Sequence, residues 1–341
     1  MAVVLVILIV GGQPPKAPDQ GDTLPAVNEP EEPKQDPEPD LEPELEAEEE
    51  PEPEPEPEPG PSVWEQRLGT FPMAFGFTDS NGLQLILTEY EFTYKDSFDF
   101  EDDNYYDNTE EEEEVDLPLT EFSPNTYSLV IGPYGEASPI NYRKWQDENA
   151  KNTRQDTAKN FSNLPGFIYA PADKQLSKDQ TYVLTAASPL MDALQPLTAP
   201  GWKGNTPAMD QATLDNIKTF KDLDIEWGKV LARTRDGAQI GVVLYKRQGD
   251  DMLFSIVYTS ESKTLFWDCP AIYDEGSTWQ AGDKGQPGAF SPLLLASFSE
   301  GLMLALTWSG SESETVVLLV EENGAFMKSE AVDYVRNKVP A

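Results

Sequence analysis

The sequence predicts a mainly β head, α+β only at its margin, carried on a disordered acidic proline-rich stalk. Three observations predict it. Leu83 to Tyr94 alternates, with Ile86, Thr88, Tyr90, Phe92 and Tyr94 on one face and Glu89, Glu91 and Thr93 on the other. The C-terminal half repeats short apolar runs at roughly ten-residue spacing with turn residues between them, the mark of an antiparallel meander. Gln13 to Ser62 holds 15 prolines and 18 acidic residues, two lysines and no aromatic residue. Such a stretch buries too little apolar surface to offset the entropy of ordering.

Residues 1–12 open the chain with an uninterrupted apolar run, Ala2 to Val10, broken by Gly11-Gly12. A nine-residue helix reaches only about 14 Å, half of what a bilayer core requires. No Lys or Arg precedes it, as a signal peptide would require. The run is read as the end of a signal peptide or membrane anchor whose start lies upstream of Met1. Residues 13–62 follow as a spacer, stiffened toward polyproline II and extended by like-charge repulsion.

The folded region divides in this reading into 63–200 and 201–341, with the Pro/Gly-rich stretch Ser188–Gly204 as the boundary. In the first part Asn81-Gly82 is a tight turn that pairs the alternating strand with Met73–Phe77. Tyr127–Ile131, Gly166–Tyr169 and Thr181–Thr185 are further strands. A polar surface helix is expected from Ser138-Pro139 through Trp145. In the second part Thr206 caps a helix with Pro207 at its first position, and Met209, Ala212, Ile217, Phe220 and Leu223 form its packed face. The meander then runs through Ile225–Thr234, Gln239–Lys246, Met252–Thr259 and Thr264–Asp268. After the loop Tyr273–Phe290 it resumes with Pro292–Phe298, Leu302–Trp308 and Thr315–Val320, and Asn323-Gly324 is its last turn. Gly82–Thr88 and Gly301–Thr307 echo one another, which reads as two hairpins obeying one rule, a turn glycine followed by alternating leucines.

Charge and composition exclude whole classes of function. The net charge is −38, of which the stalk carries −16 and residues 63–341 carry −22. A chain this acidic repels nucleic acid and anionic lipid surfaces, so a membrane is engaged only through the N-terminal segment. Histidine is absent, which removes the commonest general base and zinc ligand. Cys269 is the single cysteine, so no intramolecular disulfide forms.

Four constellations are candidates for chemistry. The acidic insertion 96–116 holds 12 carboxylates and no basic residue. Within it Asp99, Glu101, Asp103, Asp107 and Glu110 stand at the acidic positions of a twelve-residue calcium loop, although Asn104 replaces the turn glycine and no flanking helix is foreseen. A solvated insertion explains the same tract. Ser260-Glu261-Ser262-Lys263 matches S-x-x-K, but on a turn rather than the helix that chemistry needs. Cys269 ends an apolar strand and reads as a packed hydrophobe. Glu89 and Glu91 share a strand face, as a carboxylate hydrolase would need, and as solvent-facing strands commonly show.

Trp202, Trp279 and Tyr273 fall in loops, where they pack locally or stack on a sugar or a protein, whereas Trp227, Trp267 and Trp308 fall in strands. Asn160-Phe161-Ser162 is a glycosylation sequon. No cofactor is implied beyond calcium at the insertion. These readings lead to a non-enzymatic binding or sensing module, extracytoplasmic or at the cell surface, whose partner is a protein or glycan. The alternative is a hydrolase of wall polymer or glycan working through carboxylates alone.

Overall fold

The computed structural model describes residues 62–88, 123–186, 189–200, 206–273, 287–310 and 312–338. The apolar start, the spacer up to residue 61 and the acidic insertion lie outside them. Residues 59–341 form one compact unit, mainly β and antiparallel.

The chain enters this body through α1 (Val63–Leu68), a helix too short to stand alone. A capping box starts it: Ser62 accepts from the Glu65 backbone, and the Glu65 side chain accepts from the Ser62 N–H. Trp64 is buried and its indole donates to the Glu321 carbonyl (2.7 Å). The Phe298 ring lies between Trp64 and Phe71, and Arg67 reaches over it to pair with Glu300.

Next come six strands: β1 (Met73–Thr78), β2 (Leu85–Leu87), β3 (Leu129–Gly132), β4 (Glu136–Gln146), β5 (Gly166–Pro171) and β6 (Thr181–Thr185). They close into a barrel in the order β1-β2-β5-β4-β3-β6. The β3 to β6 stretch is a Greek key, since β6 returns beside β3. Closure leaves no free sheet edge. Alternate residues point inward, among them Ala74, Leu85, Val130, Tyr169, Tyr182 and Leu184. The expected pairing of β1 with β2 forms, with Phe77 opposite Ile86, but its loop is 79–84 rather than a two-residue Asn81-Gly82 turn, and of that pair Gly82 alone takes a positive φ (68°).

The helix expected at 138–145 is instead β4. Ser138 and Ile140 are buried while Pro139 and Asn141 are exposed, and that two-residue period suits a strand. Gly132 is fixed by its neighbour: a Cβ there would lie 2.1 Å from the ring of Tyr182, whose hydroxyl is held by the Ser177 N–H. Gly132→Ala should therefore cost about 1–3 kcal/mol by overpacking. A denaturant midpoint equal to wild type would contradict this.

The chain then builds a two-layer sandwich. After α2 (Leu190–Ala193), β7 (Leu194–Gln195) joins one sheet and β8 (Leu197–Thr198) the other. The helix α3 spans Gln211–Lys221 and is capped by Asp210, which accepts from the Thr213 N–H at 2.9 Å. This corrects the start expected at Thr206. The Pro207 carbonyl accepts from Val230, and Ala208 bridges Lys229, so those residues are held extended against the sheet. Ile217 is buried as expected, whereas Phe220 is 67% exposed.

The meander follows as β9 (Ile225–Thr234), β10 (Gln239–Tyr245), β11 (Asp251–Thr259) and β12 (Thr264–Ile272). The second sheet adds β13 (Phe290–Ser297), β14 (Leu302–Ser309), β15 (Ser313–Glu322), β16 (Ala325–Lys328) and β17 (Val335–Asn337). The sheet orders are β12-β11-β10-β9-β8 and β16-β15-β14-β13-β7, with β17 also beside β15. Asn323 and Gly324 both take positive φ, as a two-residue hairpin turn requires. The echoing segments sit in different architectures, β2 in the barrel and β14 in the sandwich, so they share a hairpin rule and not a duplicated fold.

Four layers result. The α3 helix covers the outer face of the five-stranded sheet through Ile217, Val230, Val243 and Val257. That sheet packs on the six-stranded one through Ile256, Phe254, Leu304 and Leu319, with Trp227, Trp267 and Trp308 half-buried at the margin. The six-stranded sheet packs its other face on the barrel, Met303 and Leu318 meeting Phe75, Ile131 and Val183.

Candidate functional site

The larger of two described cavities is a groove of about 490 Å³, a size suited to a small ligand or one peptide side chain. It arises where α3 stops short. Asp222 takes the left-handed conformation at the C-cap, and the chain turns through Leu223 into β9. Beyond that point no described helix covers the sheet. The floor is Tyr245, Leu253 and Pro270, with Leu223 and Ile272 at its sides, and Lys246 and Asp251 bring its charges. Ile272 is 74% exposed. Pro270 on this edge strand has no N–H to offer another strand, which discourages edge-to-edge pairing.

The groove's electrostatics follow from burial. Tyr245 is buried, and its hydroxyl lacks a hydrogen-bond partner of good geometry. Burial first, then the charge of Asp268, push its pKa up to about 12; a loose contact with Ser255 does not offset them. The phenol therefore stays protonated at neutral pH. Ser255 donates to Asp268 (2.6 Å), whose other oxygen accepts from Lys221. The Lys221 ammonium also lies 4.5 Å from the Phe266 ring centre. Arg247 stacks on Tyr273 at 3.9 Å, so that loop tyrosine is engaged locally. Among the described residues Asp251 is the one carboxylate lining the groove, and the smaller cavity, of about 170 Å³ beside Tyr134 and Phe290, is lined by none.

The groove and the chain's entry point lie at opposite ends of the sandwich. At one end Lys263, in the turn before β12, pairs with Glu321 (2.7 Å), which also accepts from Trp64 of α1. At the other end β12 finishes at Ile272 in the groove. The eight steps along β12 span about 26 Å.

The residues singled out in the sequence fare differently. Asp99, Glu101, Asp103, Asp107 and Glu110 lie outside the described residues, as do Glu89, Glu91, Trp202 and Trp279. Among the described residues no group of three acidic or thiol side chains could hold a metal ion. Ser260 and Lys263 close a hairpin turn through the Ser260 N–H and Lys263 carbonyl (2.9 Å), and the lysine ammonium is committed to Glu321. Asn160 is buried, and its amide donates to Asn152 and Gln155, which withdraws the sequon from a glycosyl donor.

Cys269 packs in the sandwich core. Burial, reinforced by Asp268, pushes its thiol up to about 12, so little thiolate exists near neutral pH. The native protein should react with an aromatic disulfide reagent only as fast as it opens, and rapidly once denatured. Full labelling within seconds under native conditions would refute this.

The groove itself escaped the sequence reading. Leu253, Pro270 and Leu223 look like any strand or helix-end residues, and where α3 ends decides which of them it leaves uncovered. No protein-family profile, curated protein or solved structure matches the chain.

Proposed function

We propose that this protein is a non-enzymatic binding or sensing module, held outside the cytoplasm by its N-terminal segment, which presents its groove to a protein or glycan. The observation that supports this reading is placement. The chain enters the body through α1, beside Glu321 and Lys263 at one end of β12, and the apolar groove opens at the other end of that strand, about 26 Å along it. A tethered receptor gains from that arrangement, because the end of the body where the chain enters is not the end that carries the groove. The groove's described lining is mostly apolar, Leu223, Leu253, Pro270 and Ile272 among it, which suits the binding of an apolar side chain or ligand face.

The test is location. Cells expressing the gene with its own upstream sequence should yield the full chain in the membrane fraction, and protease added outside intact cells should remove the head. Recovery of the full-length chain from the cytosol would overturn the proposal.

A further inference from the structure

We propose that the C-terminal segment Ser329–Lys338 is a charge-locked strap, which opens ahead of the rest of the body in acid. The segment runs along the outer edge of β15 and closes the seam between the barrel and the six-stranded sheet. Tyr334 packs on Phe75 of the barrel wall (5.4 Å between ring centres). Two residues on, Arg336 is wholly buried, with its guanidinium 4.2 Å from the Phe77 ring centre.

The charges divide by origin. Both cations, Arg336 and Lys338, belong to the strap, whereas the anions belong to the body. Glu314 of β15 accepts from Arg336 (3.4 Å) and from Lys338 (2.6 Å), and also from Thr181 of β6 and Ser309 of β14. Asp179, in the turn before β6, takes a second arm of Arg336, and the Asp156 carbonyl accepts from Nε at 2.8 Å. The strap's two cations thus sit in an acidic socket, while its own carboxylates, Glu330 and Asp333, are exposed to solvent and stand outside that network.

Glu314 is the group that holds both cations. Burial alone would raise its carboxyl; Lys338 and Arg336 outweigh burial and hold it below the ordinary glutamate value. A depressed carboxyl stabilises the closed strap above its ordinary pKa, and that stabilisation is lost as pH falls through the folded value. Protonation removes the charge facing two cations, and Arg336 then gains more from water than from the socket. Asp156 works in the opposite sense: burial raises its carboxyl, so its protonation favours closure. Its carboxylate accepts from the Asn337 N–H (3.1 Å) and feels the Arg336 charge, but forms no ion pair with the strap among the described residues, where Glu314 forms two.

The test is hydrogen exchange by mass spectrometry on the full chain between pH 7 and pH 3.5, corrected for intrinsic rates. In wild type the 329–338 peptide should lose protection below about pH 4.5 while β10 and β14 keep theirs. Asp156→Asn should sharpen the response toward tenfold per pH unit, the slope for one proton. Glu314→Gln should leave the strap open at pH 7, with no further loss of protection on acidification. If Glu314→Gln does not fold, Asp179→Asn, at a half-exposed position, should give partial opening at pH 7. Loss of protection in strap and sandwich at the same pH would overturn the proposal. So would a strap in Glu314→Gln, or in Asp179→Asn where that variant is used, as protected at pH 7 as in wild type.

Discussion

Arg336→Ala should lower the stability of the folded body by about 3–5 kcal/mol, seen as a lower denaturant midpoint at unchanged slope. The size follows from what remains after the substitution. Glu314 is only 6% exposed and keeps Lys338 as its one cation. Asp179 loses its cation, the Asp156 carbonyl loses its donor, and Phe77 loses the charge over its ring. Except at the half-exposed Asp179, these losses are incurred in a low-dielectric seam where water cannot substitute cheaply.

Two comparisons isolate the cause. Removing the exposed pair Lys218–Asp224, with both side chains more than half accessible, should leave the midpoint unchanged. Replacing Arg336, Glu314 and Asp179 together by Met, Leu and Asn should recover most of the loss, since desolvating the set costs about as much as its attraction returns. If Arg336→Ala costs no more than the exposed pair, the buried network is not what holds the seam.

How far the chain could be read from its letters depended on how locally each element is specified. The meander from β9 to β12 was legible because each turn carries its own chemistry. Arg235-Asp236-Gly237 places Gly237 at φ 94°, and Gln248-Gly249-Asp250 places Gly249 at φ 63°. The barrel was not legible as a barrel. Its closing contact pairs Phe75 with Val183, and no local pattern announces a partner so distant in the chain. The β4 strand was mistaken for a helix because Ser138-Pro139 imitates a helix start, and the polar run after it hid the alternation. The α1 helix left a signal that went unread, serine at 62 and glutamate at 65. Arg336 left none: one arginine among the 24 basic residues carries no mark of burial. The groove is similar, since its lining is set by where α3 ends, and that end is fixed by Asp222 in a left-handed cap.

Neighbouring residues of β14 should prove equally intolerant of truncation, against the usual rule for antiparallel strands. In a sheet with one wet face, a core residue alternates with one that can change freely. Here both faces are covered. Met303 points toward the barrel and Leu304 toward the five-stranded sheet, and both are wholly buried. Met303→Ala and Leu304→Ala should each cost about 2–5 kcal/mol, because each leaves a cavity that its rigid neighbours fill only in part. The two substitutions should add less cleanly than distant ones, since they share a backbone that relaxation on either side would move. On β12, by contrast, Leu265→Ala should be costly while Asp268→Ala, at an exposed position on the other face, should cost far less. Thermal and denaturant midpoints of the four variants decide the matter. If Met303→Ala is tolerated as Asp268→Ala is, the six-stranded sheet is not gripped by the barrel, and the two layers do not behave as one body.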